Sequence, residues 1–452
     1  MKETLFGRLT FLTVLLYLTS LFYDSAFITS LYSGLAFLLL IAALVKTNRA
    51  NRMVLTLLLV GGGVLFFCYR VDWLTVLHSF GSNLNLITLF ALIPLFGTFL
   101  SKAGYLESLQ HVLFKREKAK KGHPYRLGFI LTASIGSLLN LGSMPLVHKI
   151  GTESFSSFHN KRFSMMIFRT FGFCMLWSPY FVNVGLVLSL YDLSWQQIGV
   201  YGIGAATLYA FAIWFFFPKT TFETDEKIVN TRMKHDHNEK VTLRPFILYA
   251  FLLIILSVIL EFTLPFSMLT IVSLLAIIYP LAWAIFIRIS HSYLQEVKEY
   301  VTTSFRHLFN EIGIFVTAGF FGEALVQSGL GVNLAEMVVS FSKGILLLVI
   351  SLFMMMIILS FIGIHPVIIV SVLGTSFVPE SIGVTPEFMA IFLLCGWVLS
   401  TQSTPFSGSV LMGSHLMKDS PWKVSKKNIP FVIGIFVLFT LYLTFVHTFF
   451  MS

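Results

Sequence analysis

Long runs of apolar residues, separated by short polar segments, follow one another along the whole of the 452-residue chain. A helix needs about 20 mostly apolar residues to cross a bilayer. Eleven segments meet that requirement, near 8–23, 26–45, 52–69, 84–103, 164–190, 196–217, 246–262, 265–288, 307–328, 388–414 and 429–449. The runs are continuous rather than alternating, which favours helices over the strands of a membrane β-barrel. The pattern therefore predicts an all-α polytopic membrane protein.

Two further apolar segments, 127–150 and 344–379, are interrupted by Gly and Pro near their middles. Proline blocks the backbone hydrogen bonds of a helix and ends or kinks it. We therefore expect each segment to be a re-entrant hairpin that reaches the bilayer centre and returns to the side from which it came.

Composition and charge agree with this prediction. Hydrophobic residues make up 56% of the chain and charged residues only 12%, whereas soluble domains carry about 25% charged residues. The net charge of +10 does not indicate nucleic-acid binding, because 28 of the 31 Lys and Arg residues fall in loops on one predicted side. By the positive-inside rule, that side is cytoplasmic. We expect a multi-pass protein of the cell membrane with a cytoplasmic N-terminus, an extracytoplasmic C-terminus and contacts between the basic run 115–121 and membrane lipid.

An internal repeat divides the chain. Three short matches recur in the same order at offsets of 225, 221 and 226 residues: Phe96-Gly97 with Phe321-Gly322, Gly142-Ser143-Met144-Pro145 with Gly363-Ile364-His365-Pro366, and Ser178-Pro179-Tyr180 with Thr404-Pro405-Phe406. The charge pattern predicts that span 84–103 runs inwards and that its counterpart 307–328 runs outwards. The two repeats are therefore predicted to have inverted topology, which is typical of secondary transporters.

The repeat gives a domain organisation. We predict N-terminal scaffold spans over 1–83, a first inverted repeat over 84–217 with hairpin 127–150, a cytoplasmic linker loop over 218–245, scaffold spans over 246–306, a second inverted repeat over 307–428 with hairpin 344–379, and a C-terminal span over 429–452.

Polar residues cluster at the predicted breaks. Within lipid, backbone groups freed by proline must be satisfied by protein, water or ligand, and helix N-termini can hold anions while free carbonyls can hold cations. The candidate substrate- or ion-binding residues are Asn140, Gly142, Ser143, Pro145, Ser178, Pro179, Asn183, Gly363, His365, Pro366, Thr401, Thr404, Pro405 and Ser407.

Two ionisable residues within apolar segments leave alternatives open. Arg169 lies about two turns inside its span, where it can attract an anionic substrate or extend towards the inner surface. His365, at the second hairpin tip, can carry a coupling proton or act as a neutral hydrogen-bonding side chain.

The sum of these features resembles the ion transporter superfamily, which includes the divalent anion:sodium symporters and the citrate- and arsenite-type carriers. The resemblance implies that hairpin tips and adjacent broken spans bind substrate and coupling cation. It also implies a homodimer in which a transport domain moves against a scaffold. Dicarboxylate-type members carry Ser-Asn-Thr at both tips, and this chain has Gly-Ser-Met-Pro and Gly-Ile-His-Pro instead.

We therefore expect a secondary active transporter, and not an enzyme, that moves a small organic or inorganic anion by alternating access. Na⁺ or H⁺ is the expected coupling ion, and no cofactor is expected. A cation/proton antiporter, a channel and a membrane-embedded enzyme are the alternatives. An ATP-driven pump is disfavoured because the chain has no G-x-x-x-x-G-K-[ST] phosphate loop.

Overall fold

The computed structural model describes residues 3–47, 49–118, 123–229, 242–303, 305, 308–330 and 344–451, and most of these residues are helical. The helices are α1 Glu3–Ser20, α2 Ala26–Lys46, α3 Arg49–Cys68, α4 Trp73–Ser79, α5 Leu84–Leu92, α6 Pro94–Lys102, α7 Tyr105–Lys118, α8 Pro124–Leu139, α9 Ser143–Ser154, α10 Asn160–Cys174, α11 Val182–Leu190, α12 Trp195–Phe216, α13 Arg244–Thr263, α14 Met268–Phe286, α15 Ser290–Thr303, α16 Phe309–Ser328, α17 Ile345–Phe361, α18 Pro366–Ser376, α19 Pro386–Ser403, α20 Gly408–Met417 and α21 Pro421–Phe450. The prediction of an all-α polytopic membrane protein is confirmed.

The number of spanning helices differs slightly from the sequence prediction. Ten helical segments among the described residues are long and apolar enough to cross a membrane. Two predicted spans are not among them. Span 8–23 falls on the shorter apolar helix Leu5–Ser20, and span 164–190 is divided by residues 175–181 into the shorter helices α10 and α11. The segment Pro124–Ser154 has the required length in total, but its chain direction reverses in the middle, as described below.

A two-stranded antiparallel sheet is the exception to the helical fold. Strand β1, Ser157–His159, pairs with strand β2, Lys227–Val229. The segment 218–245 was expected to be a simple linker loop. Its residues 218–229 are instead attached to the first half of the chain through this sheet. Residues 230–241 of that loop lie outside the described residues.

Loops that the charge pattern assigned to one side of the membrane meet at one end of the molecule, here called the charged end. Lys102 pairs with Glu296 at 3.0 Å, and Lys161 pairs with Asp419 at 2.8 Å. The N-terminal helix α1 reaches the same end, where Phe6 packs against Phe309 with 4.1 Å between ring centroids. The C-terminal helix α21 ends at the opposite end. Which membrane face the charged end meets stays a prediction.

Helices α8 and α9 form a hairpin, here called the first hairpin. Gly128 near the start of α8 and Gly151 near the end of α9 both lie against the ring of Phe163. A straight helix would separate these two glycines by about 35 Å at 1.5 Å per residue. The hairpin therefore begins and ends at the charged end, and its turn at residues 140–142 lies at the far end of both arms, with Asn140 and Leu141 half-buried and Gly142 exposed.

Helices α17 and α18, here called the second hairpin, start from the opposite end. Phe353 of α17 stacks on Phe392 of α19 with 4.8 Å between ring centroids, so α17 runs beside α19. Gly374 near the end of α18 lies against Leu190 at the end of α11, and neighbouring Ser189 bonds with Asn85 away from the charged end. The two hairpins thus point in opposite directions, as inverted repeats require, although the repeat symmetry itself remains a prediction.

Candidate functional site

The turn of the first hairpin and the start of α9 hold four predicted site residues. Asn140 ends α8 with φ 54° and ψ −144°, a backbone conformation that usually requires glycine. Its side-chain Oδ1 accepts a hydrogen bond from the Leu141 amide at 3.0 Å, and its carbonyl accepts one from Ser143 Oγ at 2.7 Å. Gly142 has open space around it. Pro145 lies in the first turn of α9, where a missing N–H costs nothing, so it starts a helix rather than breaking one.

This turn faces a cavity of about 360 Å³ that separates it from the junction of α5 and α6. Asn140 and Gly142 line one wall, and Pro94 and Gly97 line the other. A side chain at position 97 would meet Leu139 at 3.2 Å, so the glycine permits this close approach. The sequence reasoning missed Pro94, although a proline in the middle of an apolar span was the available signal.

The first break, residues 175–181 between α10 and α11, is held by two predicted residues. Ser178 Oγ donates to the Ser137 carbonyl of the first hairpin at 2.6 Å and accepts from the Tyr180 amide at 3.3 Å. Asn183 Nδ2 donates to the Met175 carbonyl at 2.7 Å. The buried Pro179 lies between them.

The second break, residues 404–407 between α19 and α20, repeats this arrangement. Thr404 Oγ1 donates to the Ser360 carbonyl of the second hairpin at 2.9 Å and accepts from the Phe406 amide at 3.3 Å. Ser407 begins α20 by accepting from the Val410 amide at 3.2 Å. Pro405 is buried within this break.

The turn of the second hairpin is the counterpart of the first. Gly363 adopts a φ of 99°, and a positive φ also occurs at Asn140 in the first hairpin. His365 Nδ1 accepts from the Val367 amide at 3.2 Å and so caps the N-terminus of α18. Pro366 is the first residue of that helix. A neutral His365 ring therefore carries its proton on Nε2, because Nδ1 is the acceptor.

The breaks and the first hairpin turn lie next to one another. Thr401 Oγ1 contacts Met175 Sδ at 4.0 Å, which joins the two breaks. A Cβ at Gly408 would lie 3.5 Å from Leu141 in the turn of the first hairpin. His365 is different, since no hydrogen bond among the described residues joins it to the first half of the chain.

The backbone carbonyls at the second break are not free, contrary to the expectation from sequence. Thr401 O accepts from Ser407 Oγ at 2.6 Å and from Ser409 Oγ at 3.2 Å. Gln402 O accepts from Asn428 Nδ2 at 2.9 Å, and Ser403 O accepts from Ser425 Oγ. Side chains from neighbouring helices therefore satisfy the groups that proline leaves unpaired, a solution that the sequence pattern does not reveal.

Arg169 belongs to the same polar cluster and does not extend to the surface. Only 3% of the surface of Arg169 is exposed. Its Nε donates to Asn428 Oδ1 at 2.9 Å and one terminal nitrogen donates to Thr220 Oγ1 at 2.9 Å, while the guanidinium lies 4.5 Å from the centroid of the Phe431 ring. Asn428 and Thr220 were missed because each is an ordinary polar residue near the end of an apolar run.

One comparison with known proteins identifies a family, and another shows a similar fold. The family described as "Tripartite ATP-independent periplasmic transporter, DctM component" matches residues 178–448, which is more than half of the chain. Among solved structures, the Alcanivorax borkumensis YdaH transporter is similar in fold, with a TM-score of 0.53 and 13% sequence identity over 83% of this chain and 88% of that chain. A sequence comparison with curated proteins finds no match. The matching family is not one of the symporter or carrier groups that the sequence resembles, and the absence of Ser-Asn-Thr at either tip fits this difference.

Proposed function

Because the chain belongs to the DctM family of tripartite ATP-independent periplasmic transporters, we propose that it is an ion-coupled secondary transporter of a small anion that uses the two hairpin turns and the two breaks as its site. The observation that carries this proposal is the duplicated hydrogen bond from Ser178 to Ser137 O and from Thr404 to Ser360 O. Each bond joins a hairpin to the broken helix of its own half. Such an arrangement lets each half respond to a bound ligand as one unit.

The charge of the site favours an anionic substrate. Helices α9, α11, α18 and α20 all begin at the hairpin turns or breaks, and helix N-termini attract negative charge. No Asp or Glu lines the cavity between the first hairpin turn and Pro94. A cation/proton antiporter needs a carboxylate or a similar group to exchange its ions, so this cavity supports anion transport better.

The coupling ion is proposed to be Na⁺ or H⁺. Hydroxyl and carbonyl oxygens such as Ser178 Oγ and Ser137 O are the ligands that Na⁺ uses at unwound helices. They now bond to each other at 2.6 Å, so a cation at this place must replace that bond. H⁺ coupling instead requires a titratable side chain, and His365 is the candidate.

Purified protein in liposomes tests the proposal. Uptake of radiolabelled carboxylates and inorganic anions is measured with an inward Na⁺ gradient, an inward H⁺ gradient or neither. We expect uptake of at least one anion to require one gradient. Proton release driven by added Na⁺ or K⁺, without anion uptake, would instead support the antiporter. Since the family name describes one component of three, each assay is repeated with membrane extract that supplies the other components.

The homodimer and the membrane orientation also remain proposals. Crosslinking of the purified protein in lipid, followed by mass measurement, distinguishes a dimer from a single copy. The localisation as a multi-pass membrane protein does not depend on that result.

A further inference from the structure

Arg169 is the only Asp, Glu, Lys or Arg residue classed as buried among those the structure describes. Its hydrogen-bond partners, Asn428 and Thr220, are both uncharged, and the described ion pairs do not include it. A buried charge without compensation is costly. Something other than a carboxylate must therefore stabilise this guanidinium.

The C-terminal end of α19 provides that compensation. Four carbonyls at the end of a helix lack partners within the helix and carry partial negative charge. Asn428 relays the charge of Arg169 to one of them, Gln402 O, because its Oδ1 accepts from Arg169 Nε while its Nδ2 donates to Gln402 O at 2.9 Å and to Gln402 Oε1 at 3.2 Å. Gln402 Nε2 in turn donates to Phe168 O, one residue before Arg169, at 3.3 Å. Hydrogen bonds thus link Arg169 and the Phe168 carbonyl of α10, Gln402 of α19 and Asn428 of α21 in a closed loop.

The first half lacks this loop. At the offset of 226 residues that relates Ser178 to Thr404, the counterparts of Arg169, Gln402 and Asn428 are Cys395, Leu176 and Gly202. Gly202 lies directly against the Leu176 carbonyl, since a Cβ there would be 2.6 Å from that oxygen. No hydrogen bond to Leu176 O is found among the described residues. The second break therefore has an Asn428 side chain that bonds to both Arg169 and a backbone carbonyl. At the corresponding place near the first break, Gly202 has no side chain that could bond to the Leu176 carbonyl.

We propose that Arg169 is the resident positive charge of the second break and that, through Asn428, it gives this break an anchor that the first break lacks, so that the first break rearranges more readily than the second. Arg169 is a positioning residue in this scheme, because it acts on Gln402 through Asn428. The proposal deepens the proposed function by assigning unequal roles to the two breaks. Its test uses protein stability and local hydrogen exchange, so it fails or succeeds independently of transport.

Asn428→Asp separates this proposal from a purely structural role. A carboxylate at position 428 would neutralise the charge of Arg169. If Arg169 needed only a counter-charge, the Asn428→Asp variant would therefore have a higher Tm than the wild type. Our proposal predicts a lower Tm, because Asp cancels the charge and offers no N–H to Gln402 O. Hydrogen exchange in the peptide around residues 400–407 should accelerate about tenfold, since a buried acceptor loses its donor, while exchange around 174–181 stays unchanged. A higher Tm, or equal acceleration at both breaks, would overturn the proposal.

Chemical rescue provides a second measurement. Arg169→Ala should lower Tm, and methylguanidinium at non-denaturing concentration should restore part of that loss, whereas uncharged methylurea should not. Arg162→Ala is the matched control, because Arg162 also lies on α10 and its guanidinium also lies over aromatic rings, those of Tyr125 and Phe217, but it contacts neither break. Equal rescue by both compounds would show that Arg169 only fills space. If Arg169→Ala does not fold, the exchange comparison in Asn428→Asp decides alone.

Discussion

Ser178 and Thr404, which lie 226 residues apart, make the same two kinds of hydrogen bond. Each hydroxyl donates to a serine carbonyl in its own hairpin, at 2.6 Å for Ser178 and 2.9 Å for Thr404, and each accepts from the amide two residues later at 3.3 Å. Each residue also precedes a proline, which cannot supply an N–H of its own. The carbonyls that these prolines leave unpaired, Met175 O and Thr401 O, accept from other side chains, namely Asn183 at the first break and Ser407 and Ser409 at the second. The hydroxyls of Ser178 and Thr404 therefore serve to join each break to a hairpin.

Replacing these hydroxyls tests the coupling of hairpin to break. Ser178→Ala and Thr404→Val each leave a buried carbonyl without its donor, at a cost of about 1–3 kcal/mol. We expect lower Tm in both variants and anion uptake reduced about tenfold. Thr207→Val is the matched control, because Thr207 bonds only to its own helix at Ile203 O. Uptake at the wild-type level in both variants would mean that the two hydroxyls have a structural role and no role in transport.

Asn140 combines a strained backbone with a side chain at the cavity. Asn140→Gly removes the strain of a positive φ and should raise the free energy of unfolding by about 1 kcal/mol, yet uptake should fall because the amide is lost. Gly363→Ala is the opposite control, since it introduces strain at a φ of 99° and should destabilise. Thermal unfolding and uptake are measured on the same preparations, to check that Asn140→Gly raises stability but lowers uptake and that Gly363→Ala lowers stability. A Gly variant with full uptake would return Asn140 to a structural role.

His365 is tested by a substitution that keeps its cap. Asn accepts well at a helix N-cap, so His365→Asn should preserve the bond from the Val367 amide but cannot take a proton. We expect this variant to fold normally and to lose the pH dependence of uptake. His365→Ala should lose both the cap and about 1 kcal/mol of stability. An unchanged pH profile in the Asn variant would exclude His365 as the proton carrier and favour Na⁺.

Asp419 should make stability depend on pH at the charged end. The hydrogen bond from Lys161 lowers the pKa of Asp419 below 3.8. A lowered carboxyl pKa stabilises the folded state above the ordinary pKa, and this contribution disappears as pH falls through the folded-state pKa. Asp419→Asn should therefore lower Tm at pH 7, and its difference from the wild type should shrink below about pH 4. Lys423→Ala, which removes a longer 3.5 Å contact to the same carboxylate, should have a smaller effect.

Single cysteines test the membrane placement of the hairpins. Cysteines at Arg126 and Thr152 should label only from the cytoplasmic side, and a cysteine at Pro379 only from the other side. Depth-sensitive probes at Ser143 and Ile364 should report the bilayer centre. Labelling of either turn from the aqueous phase opposite its own ends would show a full crossing. The counterpart position Lys343 lies outside the described residues.

The sequence predicted the parts of the fold that depend on local pattern. Apolar runs define the helices, and prolines with neighbouring hydroxyls mark both breaks, which is why Ser178 and Thr404 were found. Helix α7 and helix α15 were taken for loops, because they are amphipathic rather than uniformly apolar.

The site could be predicted only in part, because its remaining contacts join residues distant in sequence. Asn428 meets Arg169 across 259 positions, and no local pattern contains that information. The backbone conformation of Asn140 was equally hidden, since asparagine usually signals an ordinary turn. Free carbonyls were expected at the second break because proline leaves them unpaired, and the side chains that bind them come from another helix.

The docked linker has a consequence for how the chain can be built. Asp225 accepts hydrogen bonds from the amides of Lys161 and Arg162 at 2.7 Å and 3.1 Å, and β2 pairs with β1 as far as Val229. Every one of these anchoring contacts precedes residue 230. A gene cut after that codon would encode two polypeptides, each carrying one of the two predicted repeats, with the docked linker segment and its partners wholly on the first. The two pieces would still meet through non-covalent contacts such as Lys161 with Asp419 and Arg169 with Asn428, so we expect two such chains made together to assemble without a covalent link.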